Sequence, residues 1–400
     1  MNNETRKETQ VLPKDVRYVG ADDLTLPLFE NQYPVQPMGV SYNSYLILDE
    51  KVAVMDSVDA RAADEWLAKL AHELDGRSPD YLVISHMEPD HSGSILRLAE
   101  RYPEMQLVGN AKTFTMLRQF FGAKAPSNDR LLEVGEGGTI SLGTHTLHFM
   151  LAPMVHWPEV MVAYEETEKL LFSADAFGRF GALSRTAAAP WAPQARRYYY
   201  NIVGKYGAQV QALLKKAAAL EIETICPLHG PVLTGGALAE ALRLYDLWSR
   251  WQSEAPEEIL LAHASIHGNT ARAAELFKQK LEAKGARVTL CNLTTTEVSY
   301  AVANAFYCGK LVLACSTYDG GLFPPMEEFL THLQAKGFRD RSVGLMENGS
   351  WAPAAARLMR AKLEEMKDLR VCGTVVSLRS ALSPASEAQM DALSAELCAK

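Results

Sequence analysis

The sequence predicts an α/β and α+β protein in two parts. A first domain over 1–252 mixes strands, turns and helices, and a second over 257–400 forms a doubly wound parallel five-stranded sheet. Three observations carry this. From residue 259 onward, short apolar runs alternate with helical stretches, which is the pattern of parallel strands joined by crossover helices. Before it lies a polar piece, Gln252-Ser253-Glu254-Ala255-Pro256-Glu257-Glu258, that reads as a linker. The chain of 400 residues, 48% hydrophobic and 22% charged, is globular in composition and long enough for more than one core.

In the first part, 41–48 and 51–56 read as two strands joined at Asp49-Glu50, and a helix follows over 60–74. The apolar run Tyr81-Leu82-Val83-Ile84 reads as a buried strand, and 94–99 as the start of a helix. Between them lies Ser85-His86-Met87-Glu88-Pro89-Asp90-His91-Ser92-Gly93. Pro89 is expected to stiffen this turn and keep it out of a helix. A strand at 106–109, a helix at 112–121 and strands at 131–134, 139–142 and 146–151 come next. A Pro-bounded loop then carries His156. A hairpin over 160–164 and 169–172 leads into Asp175, a long helix is expected over 196–219, and the strand 222–226 leads into His229 before a helix over 238–251. His145 and His148 have no partners nearby in sequence and read as structural or exposed.

In the second part, strands at 259–264, 287–292, 311–315, 342–346 and 370–376 alternate with helices at 270–284, 298–305, 325–335, 352–366 and from 384. With strand order 2-1-3-4-5, the ligand crevice falls between strands one and three.

Composition excludes several classes. Net charge is −8 with no basic stripe, which argues against nucleic acid. No apolar run of about 18 residues exists to cross a membrane. Met1 to Asp15 lacks the apolar core of an export signal, so a cytoplasmic protein is expected. The six cysteines form no Cys-x-x-Cys pair, so no zinc ribbon or iron–sulfur ligand set is encoded.

The chemistry concentrates in two places. His86, Glu88, Asp90 and His91 crowd one strand-to-helix turn. His156, Asp175 and His229 each follow a strand end, so all seven can converge at one sheet edge. A capped surface loop would explain Ser92 or Asp90 but not the two imidazoles beside two carboxylates. Four histidines, two aspartates and one glutamate suffice for two metal ions sharing one carboxylate. The second place is the turn Ser265, Ile266, His267, Gly268, Asn269 and Thr270, which opens into a helix and suits a phosphate. Neither the Walker nor the dinucleotide fingerprint is present. Two further strand-end loops border the same crevice: Ser316, Thr317, Tyr318, Asp319 and Gly320, then Asn348, Gly349, Ser350 and Trp351. Tyr318 and Trp351 can stack on a flat ring, so an FMN fits.

Together these residues resemble the flavodiiron proteins (A-type flavoproteins). The resemblance rests on His86-x-Glu88-x-Asp90-His91 with His156, Asp175 and His229, and on Ser265-x-x-Gly268-Asn269-Thr270. It extends to Gly39-Val40-Ser41-Tyr42-Asn43-Ser44-Tyr45 and to Arg196-Arg197-Tyr198-Tyr199-Tyr200-Asn201-Ile202-Val203-Gly204. It implies a metallo-β-lactamase-like αββα sandwich, a flavodoxin-like second domain, a non-haem diiron centre and FMN. It further implies one iron on His86, Glu88 and His156, the other on Asp90, His91 and His229, and Asp175 between them. Asp56 would orient the turn. Tyr198 reads as a proton donor beside the centre, and the sequence does not rank it above Tyr199 or Tyr200. The reaction implied is reduction of dioxygen to water or of nitric oxide to nitrous oxide. Electrons would come from an external donor, with rubredoxin or a reduced deazaflavin in view, because no donor module follows the second domain. A head-to-tail homodimer, or a dimer of dimers, would bring the flavin of one chain near Glu88 and Trp157 of the other.

Two departures stand out. His267 sits where a small hydroxyl residue is usual, and the 347–353 loop differs from the family pattern. The competing readings are a zinc hydrolase with an FMN sensor and a pure electron carrier. Zinc hydrolases of this fold resemble His-x-His-x-Asp-His. Glu88 in place of the middle histidine shifts preference from zinc toward iron or manganese.

Overall fold

The computed structural model describes Leu12–Cys398. Residues 1–11 of the N-terminal stretch read as lacking an export signal lie outside the described residues. The chain divides into two compact units, Met1–Asp246 and Leu247–Lys400. The helix Gly235–Ser249 runs across the division.

The first unit is built on two six-stranded sheets. One runs, in spatial order, Val16–Tyr18, Tyr45–Leu48, Val52–Met55, Tyr81–Val83, Gln106–Gly109 and Leu131–Glu133. The other runs Thr139–Ser141, Thr146–Leu151, Met161–Glu165, Leu170–Phe172, Thr224–Cys226 and Leu233–Thr234. Their inner faces share one core, with Ile47, Ala53 and Val83 from the first sheet packed with Leu147, Phe149, Ala163 and Phe172 from the second. Sheet-on-sheet packing leaves strand-end loops of both sheets free to meet at one edge.

Four expectations are corrected. Pro89 does not keep the turn out of a helix: Pro89–Ser92 is one helical turn with Pro89 as its first residue. Proline suits that position because its φ is already helical and no helix start uses its missing N–H. The strand expected over 41–48 breaks at Asn43. Val40–Tyr42 pairs with Ala21–Asp23, whereas Tyr45–Leu48 pairs with Val52–Met55. Asn43 leaves the ladder to bind another loop: its N–H donates to Leu228 O at 2.8 Å, and its amide donates to Pro227 O at 2.8 Å and Gly230 O at 2.7 Å. The long helix over 196–219 is instead Trp191–Tyr198, a wide turn Tyr199–Val203, a tight turn Gly204–Tyr206 and the helix Gly207–Ala217. Three consecutive buried tyrosines, Tyr198, Tyr199 and Tyr200, cannot share one helix face, and the wider turn lets all three face inward. Finally, residues 255–258 of the expected linker already belong to a strand, Ala255–Ala264, whose register slips between Ala255 and Ile259.

The second unit is a parallel sheet in the order Val288–Asn292, Ala255–Ala264, Cys308–Tyr318, Arg341–Asn348 and Leu369–Leu378, which is 2-1-3-4-5. The helix Asn269–Glu282 covers one face with Ala273, Ala274 and Phe277 in the core. The helix expected over 352–366 is shorter, Ala355–Glu364. Among the described residues no helix is long and apolar enough to cross a membrane.

Candidate metal centre and flavin cavity

The strand Tyr81–Val83 delivers the chain into the sheet edge, and Asp56 then fixes its exit. Asp56 ends the neighbouring strand in a left-handed conformation (φ 58°), and its carboxylate accepts the Ser85 N–H at 2.7 Å. Burial pushes its carboxyl up. Ser57 Oγ donates to the His91 carbonyl at 2.5 Å, and Ser92 Oγ to the Met87 carbonyl at 2.8 Å. Gly93 is required by close approach, since a Cβ there would lie 2.6 Å from Pro89 O and 2.8 Å from Ala60 N. So His86, Glu88, Asp90 and His91 are set by a rigid turn rather than a loose loop.

The seven expected residues fall into two adjoining groups: His86, Glu88, His156 and Asp175, and Asp90, His91 and His229. In the first, Glu88 Oε2 lies 3.2 Å from His86 Nε2 and 3.0 Å from His156 Nε2. In the second, Asp90 Oδ2 lies 3.2 Å from both His91 Nε2 and His229 Nε2. Asp175 faces both. Its Oδ2 is 3.1 Å from His156 Nε2 and 3.5 Å from His86 Nε2, and its Oδ1 is 3.3 Å from His91 Nε2 and 3.7 Å from His229 Nε2.

These spacings suit metal ions. Two ligand atoms each about 2.0–2.2 Å from an ion and roughly at right angles lie about 3 Å apart. Both oxygens of Asp90 and Oδ1 of Asp175 are buried and accept no hydrogen bond. Left so, they would be costly, and a cation supplies the missing partner. Burial pushes Asp175 upward, but His156, His86 and His91 outweigh it and hold the carboxyl well below its usual range. Burial lowers the imidazoles, yet the carboxylates prevail, raising His91 to about 10 and His156 to about 9.

Tyr198 is fully buried, its ring 5.5 Å from that of His229, and its hydroxyl has no hydrogen-bond partner. Burial, with Asp175 and Asp90 nearby, pushes its pKa well above the ordinary value. A phenol held there keeps its proton. His145 pairs with Glu165 in the interior at 3.0 Å, and His148 with Glu166 at the surface at 2.9 Å.

Sequence reasoning missed Glu159, whose carboxylate accepts the His86 Nδ1–H at 2.7 Å. It also missed the Ser41 carbonyl, which accepts the His229 Nδ1–H at 2.7 Å. A glutamate three residues after a ligand histidine was the available signal for the first. Nothing in the residue type signals the second, because a backbone carbonyl has no sequence signature.

In the second unit a cavity of about 530 Å³ is lined by Ser265, Ile266, His267, Asn269, Thr270, Ser316, Thr317, Tyr318, Asp319, Gly320, Asn348, Gly349, Ser350 and Trp351, together with Ala352 and Ser380. Ala352 and Ser380 were not expected. Gly268, expected at the site, is not among the lining residues; it is exposed, precedes the helix at φ 89° and donates its N–H to Ser265 Oγ at 3.1 Å. The Thr270 and Ser316 hydroxyls are 2.8 Å apart. Trp351 is 86% exposed, leaving its ring free to cover a planar ligand. Hydroxyls and backbone N–H groups at a helix start beside two aromatic rings match a phosphate joined to a flat heterocycle.

Fold and site together define a class: a metal-binding domain of the metallo-β-lactamase type followed by a flavodoxin-like domain. Residues 40–230 match the family described as "ODP family beta lactamase". A nitric oxide reductase from Moorella thermoacetica is 27% identical over 362 residues, 88% of each chain. A rubredoxin-oxygen oxidoreductase from Megalodesulfovibrio gigas is 27% identical over 357 residues, 87% of each. The solved flavodiiron protein from Giardia intestinalis superposes with a TM-score of 0.88 at 24% identity, covering 96% of this chain and 95% of that one. Over most of its length the chain is similar to proteins of this two-part build, the nitric oxide reductase and the rubredoxin-oxygen oxidoreductase among them.

Proposed function

We propose that this protein is an oxidoreductase that uses a non-haem diiron centre and FMN to reduce dioxygen to water, nitric oxide to nitrous oxide, or both. The observation that carries the reading is Asp175, which presents one carboxylate oxygen to each ligand group. His86, Glu88 and His156 would hold one iron, Asp90, His91 and His229 the other, and Asp175 would join them. The iron pair and the flavin supply the electrons when bound. The protein's own part is positional. Asp56 and Pro89 hold the ligand turn, Ser41 and Glu159 fix imidazole tautomers, and Tyr198 offers a protonated hydroxyl on the His229 side. Glu88, Asp90 and His156 retain slight exposure whereas His86, His91, His229 and Asp175 have almost none.

FMN would occupy the second unit's cavity, with its phosphate at 265–270 and its ring between the Tyr318 and Trp351 loops. The relatives' names support gaseous substrates and a rubredoxin-type electron donor. We place Glu88 and Trp157 of one chain near the flavin of a second in a head-to-tail dimer, since each centre is built within its own unit. Metal and flavin analysis of protein purified without added metal tests the reading. Two irons and one FMN per chain are expected. Zinc in the centre, with hydrolytic activity, would instead return the hydrolase.

A further inference from the structure

We propose that Glu159 makes the two metal positions unequal, by setting a full negative charge behind His86. The electronic part of this inference rests on the diiron reading, and the positional part does not.

Glu159 Oε1 accepts two hydrogen bonds, from His86 Nδ1–H at 2.7 Å and from the Met87 N–H at 2.9 Å. Neither the His86 nor the Glu159 side chain is exposed, so no solvent screens the pair. The seat is rigid. Asn110 caps the helix Ala111–Phe121 and donates its amide to the Glu159 carbonyl at 2.6 Å. Among the described residues, no carboxylate accepts from an imidazole Nδ1–H in the other group. There, His229 Nδ1–H donates to a neutral carbonyl, Ser41 O, and His91 Nδ1 is buried without a hydrogen-bond partner.

A carboxylate behind an imidazole does two things. It keeps the proton on Nδ1, leaving the Nε2 lone pair for a metal. It also pushes electron density through the ring, making Nε2 a stronger donor. The His86 position therefore binds its ion more tightly than its ligand count alone dictates, and an iron there is the harder of the two to reduce. Glu159 touches neither ion. It is a positioning residue.

The test uses the full chain stripped of metal and titrated with Co²⁺ alone, followed by the visible d–d bands. In Glu159→Gln the amide oxygen still accepts both hydrogen bonds, so the turn keeps its shape while the charge is removed. Unchanged circular dichroism and Tm verify this. The expected result is that one of two Co²⁺ ions binds about 10- to 100-fold more weakly, with a shift of its bands alone. Glu159→Ala weakens the same ion at least as much. Wild-type affinity at both positions in Glu159→Gln, or equal weakening of both, overturns the proposal. On iron-loaded protein, one ferrous Mössbauer doublet should move and the other should not. Because the cobalt result does not depend on the native metal or reaction, it can stand if the diiron reading falls, and the reverse.

Discussion

The Nε2 atoms of four histidines point at three carboxylates within a few ångströms, and this sets how the centre responds to pH. Without metal, His156 and His91 are held at about 9 and about 10, above the ordinary value near 6.5. A histidine raised on folding stabilises the fold fully below its unfolded pKa and loses that contribution as pH climbs through its folded pKa. The stripped protein is therefore expected to lose stability between about pH 7 and pH 10, and denaturant melts across that range check it. A metal needs the neutral imidazole, so metal binding must expel these protons. Titration of stripped protein in weakly buffered solution should release protons, and affinity should rise with pH over the same window. An affinity independent of pH would contradict the charge pattern. The seven residues that the structure gathers into two groups were legible in the sequence, because imidazoles and carboxylates crowded into one turn and at neighbouring strand ends have few other uses. Glu159 was not. A lone glutamate is usually a surface residue, and only burial against His86 gives it a role.

At the level of the element, the ligand turn works because its neighbours leave their regular paths to hold it. Asp56 takes a left-handed conformation to reach the Ser85 N–H, and Asn43 leaves its strand to clamp the 227–230 loop. Asp56→Ala removes an acceptor from a buried donor and places alanine in a disfavoured conformation. A loss of about 1–3 kcal/mol is expected, together with reduced metal content. Asp56→Asn keeps the acceptor and tolerates the conformation, so it should cost less. Equilibrium unfolding of both variants checks the order. The same departures explain what the sequence concealed. Periodicity foretold a continuous strand over 41–48 and a continuous helix over 196–219. Side-chain demands broke both, Asn43 by bonding away from its sheet and Tyr198 to Tyr200 by burying together. Elements with no such duty, such as Asn269–Glu282 and Leu369–Leu378, followed their apolar pattern closely.

Across the whole molecule, the candidate metal centre and the cavity proposed for the flavin lie in separate compact units, each with its own core. Chelation that empties the metal centre is therefore expected to leave FMN bound, with its visible spectrum intact. Release of flavin along with metal would contradict that independence. The parallel sheet and its crevice were readable from strand and helix alternation alone. The paired sheets of the first unit came only from resemblance, because its short antiparallel strands carry weak periodicity. The central claim, that the metal centre draws electrons from the flavin to reduce a gas, is tested most directly by stopped-flow mixing. The fully reduced protein is mixed anaerobically with dioxygen and, separately, with nitric oxide, alongside His86→Ala and with iron measured on the same samples. The account predicts rapid flavin oxidation by at least one gas that scales with iron content and is lost in His86→Ala. Slow flavin oxidation, equal in both proteins and independent of metal, would contradict it.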